Sequence, residues 1–150
     1  MRRGLPLLLA SLSWLPIAAC GNDFEPPDRR ARVDRAQTRY SASLFDSIRW
    51  ATEDSRLLYG NTVYAERCAR CHGPMGSGDT EYARGRGLTV PSLIVSDGAL
   101  VDLDSLRRAI YTGHSEGMPV FSEGGIGLRG IDAAAAYILL DLRPEVGGRE

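Results

Sequence analysis

The chain contains no lysine; all 18 of its basic residues are arginine. This reads as a coding bias rather than a function, but it excludes docking through a ring of lysines. Neither sign of charge dominates, because 19 acids leave a formal net charge of −1. Nothing in that balance points to a nucleic-acid partner. Long apolar runs are missing as well. The longest apolar stretch, Leu5 to Ala19, is shorter than the ~20 residues a membrane-spanning helix needs. Cysteine is scarce, with three in 150 residues, and histidine scarcer, with two. So few thiols exclude a disulfide scaffold.

Composition is otherwise that of a globular protein, at 43% hydrophobic and 25% charged, and the length suits one small domain. Met1, Arg2 and Arg3 make a basic start to the apolar stretch, the layout of an export signal. The stretch ends in Ile17, Ala18, Ala19, Cys20 and Gly21. Small residues followed directly by Cys resemble a bacterial lipobox, so residues 1–19 are expected to be a lipoprotein signal peptide and Cys20 an acylated N-terminus. The mature chain then carries 16 arginines against 19 acids, a formal net of −3. Acylation at Cys20 anchors the protein in the lipid bilayer, on the periplasmic side of a bacterial membrane.

Residues 20–53 are expected to be a flexible tether. The stretch from Glu25 to Arg30 is polar and contains Pro26 and Pro27, and acids and arginines are mixed throughout. Leu44, Phe45, Ile48 and Trp50 form a short apolar cluster that either caps the folded domain or docks on a partner or the membrane. A folded domain is expected over 54–150. Leu57, Gly60, Tyr64 and Cys68 recur at steps of three and four, which places them on one helical face. A second helix is expected near Asp104–Tyr111, with Leu103, Leu106 and Ile110 inward and Arg107 and Arg108 outward. A third is expected from about Ile131 to Leu142, where Ile131, Ala135, Ile138 and Leu142 form a stripe; Pro144 and two glycines end it. The segments between are rich in Gly and Pro, with five glycines from Gly73 to Gly87. The expectation is an all-α fold of three main helices and long loops, with little sheet. A core so small suits a protein that folds around a cofactor.

Cys68, Ala69, Arg70, Cys71 and His72 form a CxxCH motif. Its two thiols, three positions apart, can each add to one vinyl group of a porphyrin, and the adjacent histidine can bind the iron. Zinc would need a second ligand pair, and His114 is the only other histidine. A thiol redox pair would need no histidine after it. If Cys20 takes lipid, the motif uses both remaining cysteines.

The run Gly60 to Gly73 resembles the N-terminal helix and haem motif of class I monohaem cytochromes c. The resemblance continues through Gly76-Ser77-Gly78-Asp79, Pro91-Ser92-Leu93, Gly117-Met118-Pro119 and Ala135-Ala136-Tyr137-Ile138, covering about 55–143. It implies the small cytochrome c fold around one covalent haem c, with thioethers from Cys68 and Cys71. It also implies His72 and Met118 as axial ligands of the haem iron, with His114 as the competing sixth ligand; Met75 is too near His72 in sequence. The Pro91 carbonyl is expected to orient His72, with Leu88, Val90 and Leu93 packing on the macrocycle. Gly60 and Tyr64 are expected to meet Tyr137 and Ile138. Arg84 and Arg86 are candidates for a haem propionate, although solvation is their commoner fate.

Two axial ligands close the iron and suit one-electron transfer with redox protein partners rather than enzyme chemistry. A haem enzyme or gas sensor with a dissociable Met118 is the alternative, and a zinc or thiol module without haem a third. Ser92-Leu93, Gly113-His114, Gly117-Met118-Pro119 and Ile131-Asp132-Ala133 also resemble the monohaem lipoprotein subunit of alternative complex III. That resemblance implies multi-haem and iron–sulfur subunits of a quinol-oxidising complex as partners.

Overall fold

The structure, a computed structural model, describes residues 28–94 and 102–144. Among them the regular elements are all helical: α1 Arg29–Arg39, α2 Glu53–Arg67, α3 Ala69–His72, α4 Glu81–Gly85, α5 Leu103–Thr112 and α6 Gly127–Tyr137. A 3₁₀ turn at Ala42–Phe45 precedes α2, another at Phe121–Glu123 precedes α6, and α6 widens into a π turn at Ile138–Leu142. The all-α expectation holds, and α2, α5 and α6 are the three main helices it named.

Local sequence sets the starts of these helices. Thr52 Oγ1 accepts the Ser55 N–H at 3.1 Å, and the Ser55 hydroxyl accepts the Thr52 N–H in return. Glu53 and Asp54 follow in the first turn, where the helix dipole favours acids. Asp102 and Ser105 repeat the reciprocal cap at the start of α5. Helix α5 ends at Gly113, whose φ of 64° few other residues adopt cheaply.

Helices α2 and α6 cross at Gly60. A Cβ there would overlap the Ala133 carbonyl and come within 2.8 Å of the Tyr137 Cβ. Facing it, Ala133 to Ala136 are wholly buried. One turn further on, the Tyr64 and Tyr137 rings meet at 5.5 Å. The Tyr64 hydroxyl donates to the Gly73 carbonyl at 2.6 Å, tying α2 to the turn after His72. Gly60 and Tyr64 therefore meet Tyr137 as expected, with Ile138 in the same core.

Arg107 corrects one expectation. It does not turn outward but reaches Asp132, which is 1% exposed on α6. The same carboxylate accepts from Trp50 Nε1 at 2.7 Å and from Arg56 Nε and Nη2, each at 2.9 Å. Burial pushes the Asp132 pKa up, but hydrogen bonds from Arg107, Trp50 and Arg56 outweigh it and hold the pKa below the usual range. The apolar cluster before α2 is a cap: Phe45 is buried, and Leu44 and Ile48 pack against the main core.

The expected tether, 20–53, is also corrected. From Asp28 onward it is folded. Asp28 caps α1, and Val33 and Ala36 on that helix are buried against Val120. The surrounding arginines hid this: they are the solvated face of an amphipathic helix. The expected signal peptide, Cys20, and the glycines after Pro144 lie outside the described residues.

Two outcomes follow from this packing. Gly60→Ala should lower stability by about 1–3 kcal/mol through overpacking, read as an earlier denaturant midpoint of the haem-loaded protein. Asp132→Asn leaves two arginines facing a lost charge and should cost on the order of 3 kcal/mol at neutral pH. The ionised carboxylate contributes fully above its unfolded pKa, about 3.9. That contribution is lost as pH falls through the lower folded value, so the gap between wild type and variant should close in strong acid.

Candidate haem site

One turn after α2, the short helix α3 carries Cys71 and His72, with Cys68 at the junction. The His72 and Gly73 N–H groups donate to the Cys68 and Ala69 carbonyls at 2.9 and 2.8 Å, so the motif is wound as helix. The Thr80 hydroxyl reaches the Arg70 and Cys71 carbonyls at 3.1 and 3.2 Å and closes the other side of the turn. Both thiols and the imidazole are thus held on one rigid bend.

That bend opens onto a cavity of about 380 Å³, within the range of cofactor pockets, about 300–1,000 Å³. Its walls are mostly apolar. Leu88, Val90, Pro91 and Leu93 come from the loop before α5, Leu106 and Ile110 from α5, Phe121 from the turn before α6, and Ile138 from the end of α6. Cys68, Cys71 and His72 enter from α3, and Met118 from the loop after α5.

Each part of the wall is pinned. Leu93 donates its N–H to the Gly76 carbonyl at 2.7 Å, and its own carbonyl accepts from Arg143 Nε at 2.7 Å. Gly78, at φ 80°, lets the Val90 and Pro91 backbone approach, and its N–H donates to the His72 carbonyl at 2.8 Å. The Met118 carbonyl accepts the His114 N–H at 3.0 Å. Gly113 lies against the Met118 and Pro119 backbone where any side chain would collide. Gly117 faces Leu88, whose Cδ2 stands 2.9 Å from where a Cβ would be.

Electrostatics suit a haem. Burial holds the His72 pKa below its ordinary value, with the Pro91 backbone pulling weakly the other way. The imidazole is therefore neutral, the form that binds metal. Its buried Nδ1 completes no hydrogen bond of regular geometry. Pro91 stands beside His72, but the hydrogen bond expected between them is not fully formed. Burial, then the neighbouring Cys71, pushes the Cys68 thiol up to about 12. A redox-active CxxC needs a thiol whose pKa is lowered, and Cys68 is shifted the other way. The two cysteines are not joined to each other. Among the described residues no group of three metal-ligating side chains forms, so the zinc reading has no ligand set.

The residues present fit a haem: an apolar slot, a neutral imidazole, two thiols on one bend and a thioether from a separate loop. Cys68, Cys71, His72, Pro91, Leu93 and Met118 all line the one cavity. His114 also lines it, but its side chain is 63% exposed and its Nδ1 accepts the Glu116 N–H at 3.2 Å. Met75 is exposed and not part of the wall. Arg84 pairs with Asp79, and Arg86 sits over the Tyr82 ring, 4.8 Å from its centroid. Neither reaches the cavity, whereas Arg67, not anticipated, does. Its position one residue before Cys68 was the available signal.

A family model described as "Cytochrome C oxidase, cbb3-type, subunit III" matches residues 56–138, more than half of the chain. No solved structure matches it.

Replacing both Cys68 and Cys71 with Ala should abolish haem that survives a denaturing gel, as seen by haem staining. Either single variant should keep a weaker stain, because one thioether remains.

Proposed function

The chain belongs to this family, and on that footing we propose that it passes single electrons between membrane-bound redox proteins through an iron held by His72 and Met118. Membership makes it a c-type cytochrome: an electron-transfer domain with covalently bound haem c and redox protein partners. When bound, haem c supplies a metal centre that changes by one electron. The rest falls to the chain. Cys68 and Cys71 would fasten the ring, neutral His72 would bind the iron from α3, and Met118 would bind it from the loop after α5. The apolar wall keeps water away.

The observation that carries the ligand assignment is the shared cavity, which His72 and Met118 enter from different elements. An imidazole and a thioether together leave no open coordination position. That favours a carrier, or an electron-transfer subunit of a larger oxidoreductase, over an enzyme in its own right.

The setting we propose is the periplasmic side of a bacterial membrane, with residues 1–19 removed and Cys20 acylated. The apolar run ending in small residues and Cys supports this. Among the described residues no helix is long and apolar enough to cross a membrane. The described residues start at Asp28, eight positions after Cys20, and eight residues span at most about 30 Å, so an anchored domain would stay within that reach of its lipid. Such a short leash keeps the domain at high effective concentration beside membrane partners. The matched family is named for an oxidase subunit, and the motifs quoted earlier resemble a subunit of alternative complex III. Both support a place beside a large membrane redox complex. Co-purification with multi-haem and iron–sulfur subunits supports the quinol-oxidising complex; recovery as a lone monomer after gentle solubilisation counts against it.

Met118→Ala should remove the methionine–iron absorbance band and lower the midpoint potential by on the order of 100 mV. His114→Ala should leave the band in place. A low-spin wild-type spectrum without the band, lost on His114→Ala and kept on Met118→Ala, would hand the sixth position to His114.

A further inference from the structure

We propose that α1 is a strap that holds the Met118 loop against the haem cavity, with Val33 and Ala36 as positioning residues for the sixth ligand. This rests on the assignment of Met118 as that ligand. It concerns a part of the chain outside the family match, which begins at residue 56.

The loop from Met118 to Val120 is a thin partition. On one side Met118 and Pro119 line the haem cavity. On the other, Met118, Pro119 and Val120 line a cleft of about 90 Å³ whose far wall is Arg29 and Arg32 of α1. Val120 is 4% exposed, and its burial comes from Val33 and Ala36, with Tyr111 alongside. These side chains form a small core of their own, separate from the main one.

Both ends of the strap are fastened. Arg32 Nε donates to Glu123 Oε2 at 2.7 Å, just beyond the loop, and Arg35 lies 3.6 Å from the same carboxylate. At the other end the Tyr40 hydroxyl donates to Asp104 Oδ1 at 2.6 Å, and its ring meets Tyr111 edge-on at 5.4 Å. From within, the loop is tied by short-range bonds: the His114 N–H to the Met118 carbonyl at 3.0 Å, and the Gly117 and Glu116 N–H groups to the His114 carbonyl and Nδ1, each at 3.2 Å. A segment held by such local ties opens at low cost. The strap raises that cost by burying Val120, and in this way keeps the sulfur in place. Groups behind a ligand commonly hold it in this manner.

The test uses the haem-loaded full chain and two readings of the sixth position: the methionine–iron band of the ferric protein, and the rate of carbon monoxide binding to the ferrous protein. Carbon monoxide binds only after Met118 leaves. Val33→Asn with Ala36→Asn should speed it by roughly tenfold or more, the equivalent of one lost buried valine. The band should weaken, with haem content unchanged. Glu123→Gln, a milder change at the surface, should shift both readings in the same direction by less. Val33→Ile, which keeps the apolar contact with Val120, should hold both readings near wild-type values. The proposal is overturned if α1 amides lose hydrogen-exchange protection in the double variant while band and rate stay at wild-type values. Met118→Ala separates the two layers: if it leaves the band intact, the ligand assignment fails. If it abolishes the band while the strap variants change nothing, only the strap fails.

Discussion

Gly60 has no side chain, and the Ala133 carbonyl occupies the space where one would stand. That single close approach brings α2 and α6 together along the run from Gly60 to Tyr64, and the haem site is built outward from it. With the backbones in contact, the Tyr64 ring meets that of Tyr137 at a tilt, and its hydroxyl fixes the turn after His72. The C-terminal end of α2 then delivers Cys68 to one wall of the cavity, while the end of α6 delivers Ile138 to the same space. A wider crossing would move both walls at once. The cofactor pocket is in this sense a by-product of helix packing, and its accuracy is inherited from the smallest residue in the chain.

Much of this was legible from residue spacing. The 3.6-residue period exposed the faces of α2 and α6, because each buries a continuous stripe, and CxxCH announced its own chemistry. Met118 was legible only through the resemblance. Nothing local distinguishes it from Met75, and the difference is which loop folds over the cavity. The first helix was misjudged for a physical reason. Its five arginines face solvent or pair with Glu123, and only Val33 and Ala36 are buried, so its apolar signal is two residues wide. Arg107 was misplaced because its partner is not on its own helix. A lone Asp132 inside an Ala-rich run was the available sign, since a carboxylate in a buried stripe demands cations from somewhere.

Asp132 does for the far side of the domain what Gly60 does for the crossing. Trp50 comes from the entry segment, Arg56 from α2 and Arg107 from α5, and all converge on one carboxylate of α6. The node lies away from the haem cavity, and none of its members lines that space. It stabilises the relative placement of three helices without putting a charge beside the iron. The labour is thereby divided along the chain: the buried ionic node sits at the middle of α6 and the apolar cavity at the π turn that follows it.

Cys68 is 7% exposed, and burial has pushed its thiol up to about 12. Cys68 nonetheless lines the cavity, so the packing that hides it from solvent leaves it facing the space a porphyrin would fill. With Cys68 as an attachment point, a thioether there would be screened from water by the same helices that hold the motif.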